Sequence, residues 1–245
     1  MLDIDQALSQ AIKVFWSTRS KQKENQGSKT GQKDAGDRSA VTGGKHADAI
    51  VRLVRDVLVD SDIPDAQVFY TSKKRPRTLP GFYRPTKEWD LVAVSRGHVL
   101  AVIEVKSQVG SFGNNFNNRV EEALGNATDF WEAYEKGTFA PSTKPWLGYL
   151  FILEAHPTSV SARKTPTLPH YQIRDEFHGA SYVKQYEIFM EKLVRKRLYD
   201  AACLITSSRE DGPRGVYQEP NAELSFRHFA ASLAARAHAF SKLIE

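Results

Sequence analysis

Trp89-Asp90-Leu91-Val92-Ala93-Val94, then Ser95-Arg96-Gly97-His98, then Val99-Leu100-Ala101-Val102-Ile103-Glu104-Val105-Lys106 is the stretch that decides the fold. Two β-branched runs flank turn residues, which is the pattern of a β-hairpin. The second run holds five apolar residues, Val99 to Ile103, before Glu104 and Lys106, so the charged pair ends a buried strand. Spaced two apart, Glu104 and Lys106 share a face. A three-residue loop, Arg96 to His98, pairs Ser95 with Val99 and Asp90 with Glu104. Directly paired β-carbons lie about 4.5–5.5 Å apart. Two carboxylates that close repel unless a cation lies between them, and a hard divalent ion such as Mg2+ takes oxygen ligands of this kind. The expected metal ligands are Asp90, Glu104 and the backbone carbonyl of Val105, with Lys106 in reach to orient or deprotonate a water. Such a set suits hydrolysis of a phosphodiester. The plainer alternative is a surface hairpin with one salt bridge, because short acid-x-lysine matches are common.

Working outward, the chain alternates helical and strand-like patterns. Ile4, Leu8, Ala11, Ile12 and Phe15 share one helical face within 2–16, and Ile50, Leu53, Val54, Val57 and Leu58 share another before Pro64. Between them, residues 17–45 lose apolar content and read as a basic flexible segment. Residues 66–71 read as a short strand and 107–118 as a polar loop. Val120 to Tyr134 reads as a helix capped by Gly137, and Trp146–Leu153 as a central buried strand. A helix around Tyr182–Leu193, a strand at Ala201–Thr206 and a helix from Phe226 to Leu243 complete the pattern. The expected fold class is α/β (α+β): a mixed central sheet flanked by helices, in a single domain spanning 1–245.

Charge is uneven. The 245 residues carry a net charge of +5. Residues 17–45 hold seven Lys/Arg against three acids, and residues 66–87 hold six Lys/Arg and no acid. Such blocks favour a polyanionic partner. Cys203 is the sole cysteine, which excludes intramolecular disulfides and a cysteine-built zinc site and fits a reducing, cytoplasmic home. The longest apolar run, Trp146 to Leu153, covers 8 residues, against the roughly 20 of a membrane span. No glycine-rich phosphate loop appears, so no nucleotide cofactor is expected.

Asp90…Glu104-Val105-Lys106 resembles the PD-(D/E)xK nuclease pattern, with Trp89 where a proline commonly precedes the first acid. Thr78-Leu79-Pro80-Gly81-Phe82-Tyr83-Arg84-Pro85-Thr86-Lys87 and Ser111-Phe112-Gly113-Asn114-Asn115-Phe116-Asn117-Asn118-Arg119 resemble the XhoI-type type II restriction endonucleases. The resemblance implies a homodimeric, Mg2+-dependent bacterial enzyme acting on double-stranded DNA at the palindrome CTCGAG. It implies cleavage after the first C, leaving 5′ overhangs. The rivals are a structure-specific nuclease, such as a resolvase or repair nickase, and a non-catalytic DNA-binding protein.

Other residues carry two readings each. Asp48 is a candidate further metal ligand or an acid stabilising a helix N-terminus. Asn114, Asn115, Asn117, Asn118 and Arg119 follow the acid-bearing strand and suit base contacts, although Asn118 equally suits a helix cap. Lys73, Lys74, Arg75, Arg77 and Arg84 are expected to contact DNA.

Overall fold

The protein is described by a computed structural model covering residues 2–30, 45–64, 67–71 and 74–243. A five-stranded sheet organises it: β1 (Val68–Tyr70), β4 (Leu91–Ser95), β5 (His98–Gln108), β6 (Trp146–Glu154) and β7 (Ala201–Ser207), in the order β1-β4-β5-β6-β7. The β1–β4 and β4–β5 pairs are antiparallel, whereas β5–β6 and β6–β7 are parallel. A small separate hairpin, β2 (Thr78–Pro80) and β3 (Thr86–Glu88), stands just ahead of β4.

Side-chain alternation along the strands sets two cores. Leu91, Ala93, Ala101, Ile103 and Val105 face α1 (Ile4–Thr30), α2 (Asp48–Asp60) and α5 (Phe226–Leu243). Val92, Val102, Tyr149 and Phe151 face α3 (Phe112–Glu135) and α4 (Tyr182–Arg195). Sheet and helices thus form the expected mixed sandwich. Residues buried on both faces explain why β6 and β7 read as continuous apolar runs.

Two stretches differ from the expectation. Residues 17–30 continue α1 rather than starting a loop, while 31–44 lie outside the described residues. Apolar spacing marks only the packed part of a helix, which ends near Trp16. Beyond it, Lys, Gln and Glu are good helix formers that need no core. The polar stretch 107–118 is likewise not a loop. β5 runs to Gln108 and α3 starts at Phe112, with Ser111 in the left-handed region at φ 47°. Phe112 and Phe116, four apart, are packed by Tyr182, Tyr186 and Phe189, and they hold the asparagine-rich turns helical despite asparagine's weak propensity.

Candidate active site

The hairpin places its acids by a route that differs in detail from the expectation. The turn is the two-residue Arg96-Gly97, with Ser95 opposite His98, and both turn residues have positive φ (50° and 81°). That is the type I′ geometry, which wants glycine at its second position. A two-residue turn alone would leave Asp90 opposite Ile103. A β-bulge corrects this: Val94 pairs with Val99 but Ala93 pairs with Ala101, so Leu100 is the extra residue. Leu91 then pairs with Ile103, and the register continued one step sets Asp90 opposite Glu104. Both acids lie on the side of the sheet covered by α3 and α4.

Asp90 precedes β4, where its Oδ2 accepts a hydrogen bond from the Val105 N–H at 2.8 Å. Burial, and then the charge of Glu104, push its carboxyl up to about 6. Glu104 is 2% exposed and held by two ammonium groups. Lys106 Nζ lies 2.5 Å from Oε1, and Lys87 Nζ donates to Oε2 at 3.1 Å and Oε1 at 3.3 Å. Burial acts to raise the Glu104 carboxyl, but Lys106 and Lys87 outweigh it and hold the group below its ordinary value. Burial similarly works to lower the Lys106 ammonium, and the charges of Glu104 and Asp90 raise it above its ordinary value instead. Lys87 and Lys106 thus both meet Glu104, Asp90 lies close enough to feel all three charges, and the four charges cancel when both acids are ionised.

Lys87 is the residue that reading by strand parity misses. It lies three positions before Asp90, an odd separation that a continuous strand would send to the opposite face. The chain instead leaves β3 at Glu88 and bends through Trp89. Lys87 Nζ rests 4.5 Å from the centre of the Trp89 ring while reaching Glu104. Trp89, 2% exposed and a departure from the proline of the nuclease pattern, seats this lysine.

The donor set fits a hard divalent ion: two opposed carboxylates, one of them destabilised in its charged form by the other. Among the described residues no group of three or more acids, histidines or cysteines forms a metal cluster. Asp48, half-buried in the first turn of α2, therefore does not join the pair. Asp90, Glu104 and one backbone carbonyl are the oxygen ligands on offer.

The expected DNA contacts divide. Lys74 and Arg75 are exposed beside the hairpin, and Asn117 and Asn118 are exposed on the first turns of α3. Asn115 Nδ2 donates to the Ser111 carbonyl at 3.1 Å, and Arg119 pairs with Glu122 at 2.7 Å. Lys73 and the side chain of Asn114 lie outside the described residues. Arg77 is a correction. It is 7% exposed and spent on the scaffold, with Nη1 donating to the Trp89 carbonyl at 2.5 Å and Nη2 meeting Glu88 at 2.5 Å. Arg84 also has an internal task, with Nε on Asp129 at 2.8 Å and Nη2 on Asn126 at 2.8 Å. Sequence reading missed these two partners. An acid and an amide three apart, set between Ala123, Ala127 and Phe130 on an otherwise apolar helix face, were the available signal.

The family profile described as Restriction endonuclease XhoI matches residues 25–219. The chain belongs to the XhoI restriction endonuclease family. It is 44% identical to the type II restriction enzyme BstVI of Geobacillus stearothermophilus over 207 residues, covering 82% of this chain and 91% of that protein. It is 37% identical to the type II restriction enzyme XhoI of Xanthomonas vasicola over 198 residues, covering 80% and 77%. Identity to the type II restriction enzyme AbrI of Azospirillum brasilense is 38% over 173 residues, covering 70% and 76%. No solved structure matches. Type II restriction enzymes are site-specific deoxyribonucleases that act on double-stranded DNA and generally use divalent metal ions, and this chain is one of that family. Among the described residues no helix is long and apolar enough to cross a membrane.

Proposed function

We propose that this member of the XhoI restriction endonuclease family cuts double-stranded DNA at CTCGAG, after the first C, leaving 5′ overhangs. Mg2+ is the proposed cofactor, held by Asp90, Glu104 and the backbone carbonyl of Val105. The observation that carries the hydrolytic chemistry is the opposed pair Asp90 and Glu104 with two lysine ammonium groups converging on Glu104, while the target sequence rests on the likeness to the XhoI family.

When bound, the ion polarises the phosphate and acidifies a water. The chain's own groups do the rest. Asp90, fixed by the Val105 N–H, and Glu104 present their oxygens to one point. Lys106, held as an ammonium by Glu104 and Asp90, orients the attacking water, whose proton passes to solvent. As the water oxygen bonds to phosphorus, one P–O ester bond breaks, and the leaving oxygen takes up a proton from solvent. Lys87 and Lys106, the two ammonium groups that meet Glu104, would offset the negative charge that grows on the phosphoryl oxygens. A palindromic target is matched by a two-fold symmetric protein, so the acting species is a homodimer in a bacterial cytoplasm.

The test is unmethylated plasmid with a single CTCGAG site, incubated with the full-length protein with and without Mg2+, beside Glu104→Ala. One Mg2+-dependent linear product with ends mapping to CTCGAG, absent in the variant, is expected. Cleavage at a different sequence overturns the target. Nicking without preference points to a structure-specific nuclease, and binding without cleavage to a DNA-binding protein whose acids are structural.

A further inference from the structure

The β2–β3 hairpin ends in a tip, Gly81-Phe82-Tyr83-Arg84-Pro85, whose construction the cleavage chemistry does not use. Phe82 is 46% exposed and Tyr83 68% exposed. Their rings meet edge to face with centroids 4.8 Å apart. Beneath them the backbone is held with unusual firmness for a surface turn. Asp129, 4% exposed on α3, accepts the Phe82 N–H at 2.9 Å and the Tyr83 N–H at 2.7 Å through one carboxylate oxygen. Its other oxygen receives Arg84 Nε at 2.8 Å, and Arg84 reaches on to Asn126, 7% exposed. Gly81 is required by this seat: a Cβ there would stand 2.5 Å from Asp129 Oδ2 and 2.8 Å from the Arg84 carbonyl.

A turn that only had to reverse the chain would not need a buried carboxylate and amide to fix it. Nor would it set two large aromatic rings in water, where their apolar area gains nothing. Such a display is preorganised for a partner that covers it. Charge names the class. Residues 66–87 contain no acid, and Lys74 and Arg75 are exposed at the base of the same hairpin. Distance names the place. Tyr83 lies seven positions before Asp90, a span of at most about 25 Å, or some seven base-pair steps. The tip is thus within reach of a duplex seated across the acid pair, with Glu121 and Glu122 of α3 lining the cleft beside Tyr83.

We infer that the tip is a wedge in which Tyr83, backed by Phe82, stacks against bases of the duplex within or directly beside the cleaved site, unstacking a base step and fixing the phosphate at the acids. Aromatic and apolar side chains inserted between base steps kink a duplex and trade unstacking for contact area. Base–aromatic stacking tolerates any base, so Tyr83 contributes to affinity and register, and sequence is read elsewhere. The inference rests on the DNA-cleaving reading above.

Duplexes carrying CTCGAG, with 2-aminopurine placed in turn at the site's adenine and at each flanking base, are titrated with the full-length protein in Ca2+. A fluorescence rise at one position is expected with the native protein. Tyr83→Ala removes it and weakens binding about tenfold, and Tyr83→Phe restores both. Thermal unfolding of Tyr83→Ala stays at the native value, since the side chain is exposed. Native-like fluorescence and affinity in Tyr83→Ala, with a native protein that cuts normally, overturn the wedge and leave the nuclease standing. A weaker dimer by sedimentation, or failure of Tyr83→Phe to rescue, also overturns it. A native protein that neither binds nor cuts overturns the DNA reading itself.

Discussion

The β4–β5 hairpin and the β2–β3 hairpin beside it put their unusual residues in opposite places. β4–β5 buries charge: Glu104 is 2% exposed and Asp90 sits opposite it. β2–β3 exposes aromatic surface at Phe82 and Tyr83 while its buried support is polar. Each arrangement costs stability in the free protein, the first at Asp90, whose charge is buried beside Glu104, and the second at the rings left in water. Both costs are recovered only in a complex, and the two complexes differ. The acids are completed by a cation and a phosphate, the rings by an apolar face that nucleic acid offers as stacked bases. Lys87 joins the two, since the strand that leaves the aromatic tip delivers it onto Glu104.

The two acids should respond to substitution in opposite directions, with the largest effects expected anywhere in the site. Glu104→Gln should lower cleavage about 1,000-fold, because ligand and lysine anchor are lost together. It should also destabilise the metal-free protein by about 2 kcal/mol at pH 8, leaving Lys87 and Lys106 without their anion. Asp90→Asn should be as inactive yet stabilise the metal-free protein by about 1–2 kcal/mol at pH 8, a Tm gain of roughly 3–5 °C. The sign follows from the Asp90 carboxyl, raised to about 6 by burial and by Glu104. Native folding is penalised above that pH, where the charged form must be buried. The penalty fades as pH falls from about 6 toward the ordinary aspartate value near 4. The gain from Asp90→Asn should therefore vanish near pH 4. Equal Tm changes for the two variants at pH 8, by calorimetry, would sink the description of one held and one frustrated acid.

How much of this was legible in sequence depended on the kind of signal. Period-two alternation and the buried run at 99–103 give the hairpin, the face and the opposition of Asp90 and Glu104. The route to that opposition was not legible. A turn one residue shorter than expected and a bulge at Leu100 compensate each other, and nothing in Val99-Leu100-Ala101 marks which apolar residue is extra. Lys87 was hidden by the bend at Trp89, since parity arguments hold only within a strand. The asparagine run has the propensity of a loop and is helical only because Phe112 and Phe116 are packed, a tertiary contact that local sequence does not display. Arg77 counted as surface charge until its partners, the Trp89 carbonyl and Glu88, came with the fold.

At the aromatic hairpin the break is smaller and should separate binding from chemistry. Gly81→Ala forces its Cβ against Asp129 and the Arg84 carbonyl, so the tip must shift. The expected outcome is several-fold weaker DNA binding in Ca2+, with a Tm loss of a few degrees. The single-turnover rate at saturating protein should fall by less than the affinity does. A collapse of that rate to the level of Glu104→Gln would show that the tip and the acids act as one unit.

The mildest change concerns the exposed charges at the foot of the same hairpin. Lys74 and Arg75 touch water, and neither is buried with a structural task as Arg77 is. If they meet phosphates, the double variant Lys74→Ala/Arg75→Ala should weaken binding to cognate and random duplexes alike. It should also lower the slope of log K against log salt by up to about 0.9 per residue, because each released counterion contributes equally whatever the bases. Tyr83→Ala, in contrast, should lower affinity while leaving that slope unchanged, since stacking releases no counterion. Measuring both slopes by anisotropy between low and moderate salt separates the two parts of the hairpin. A slope that changes with Tyr83 and not with Lys74 and Arg75 would reverse their roles.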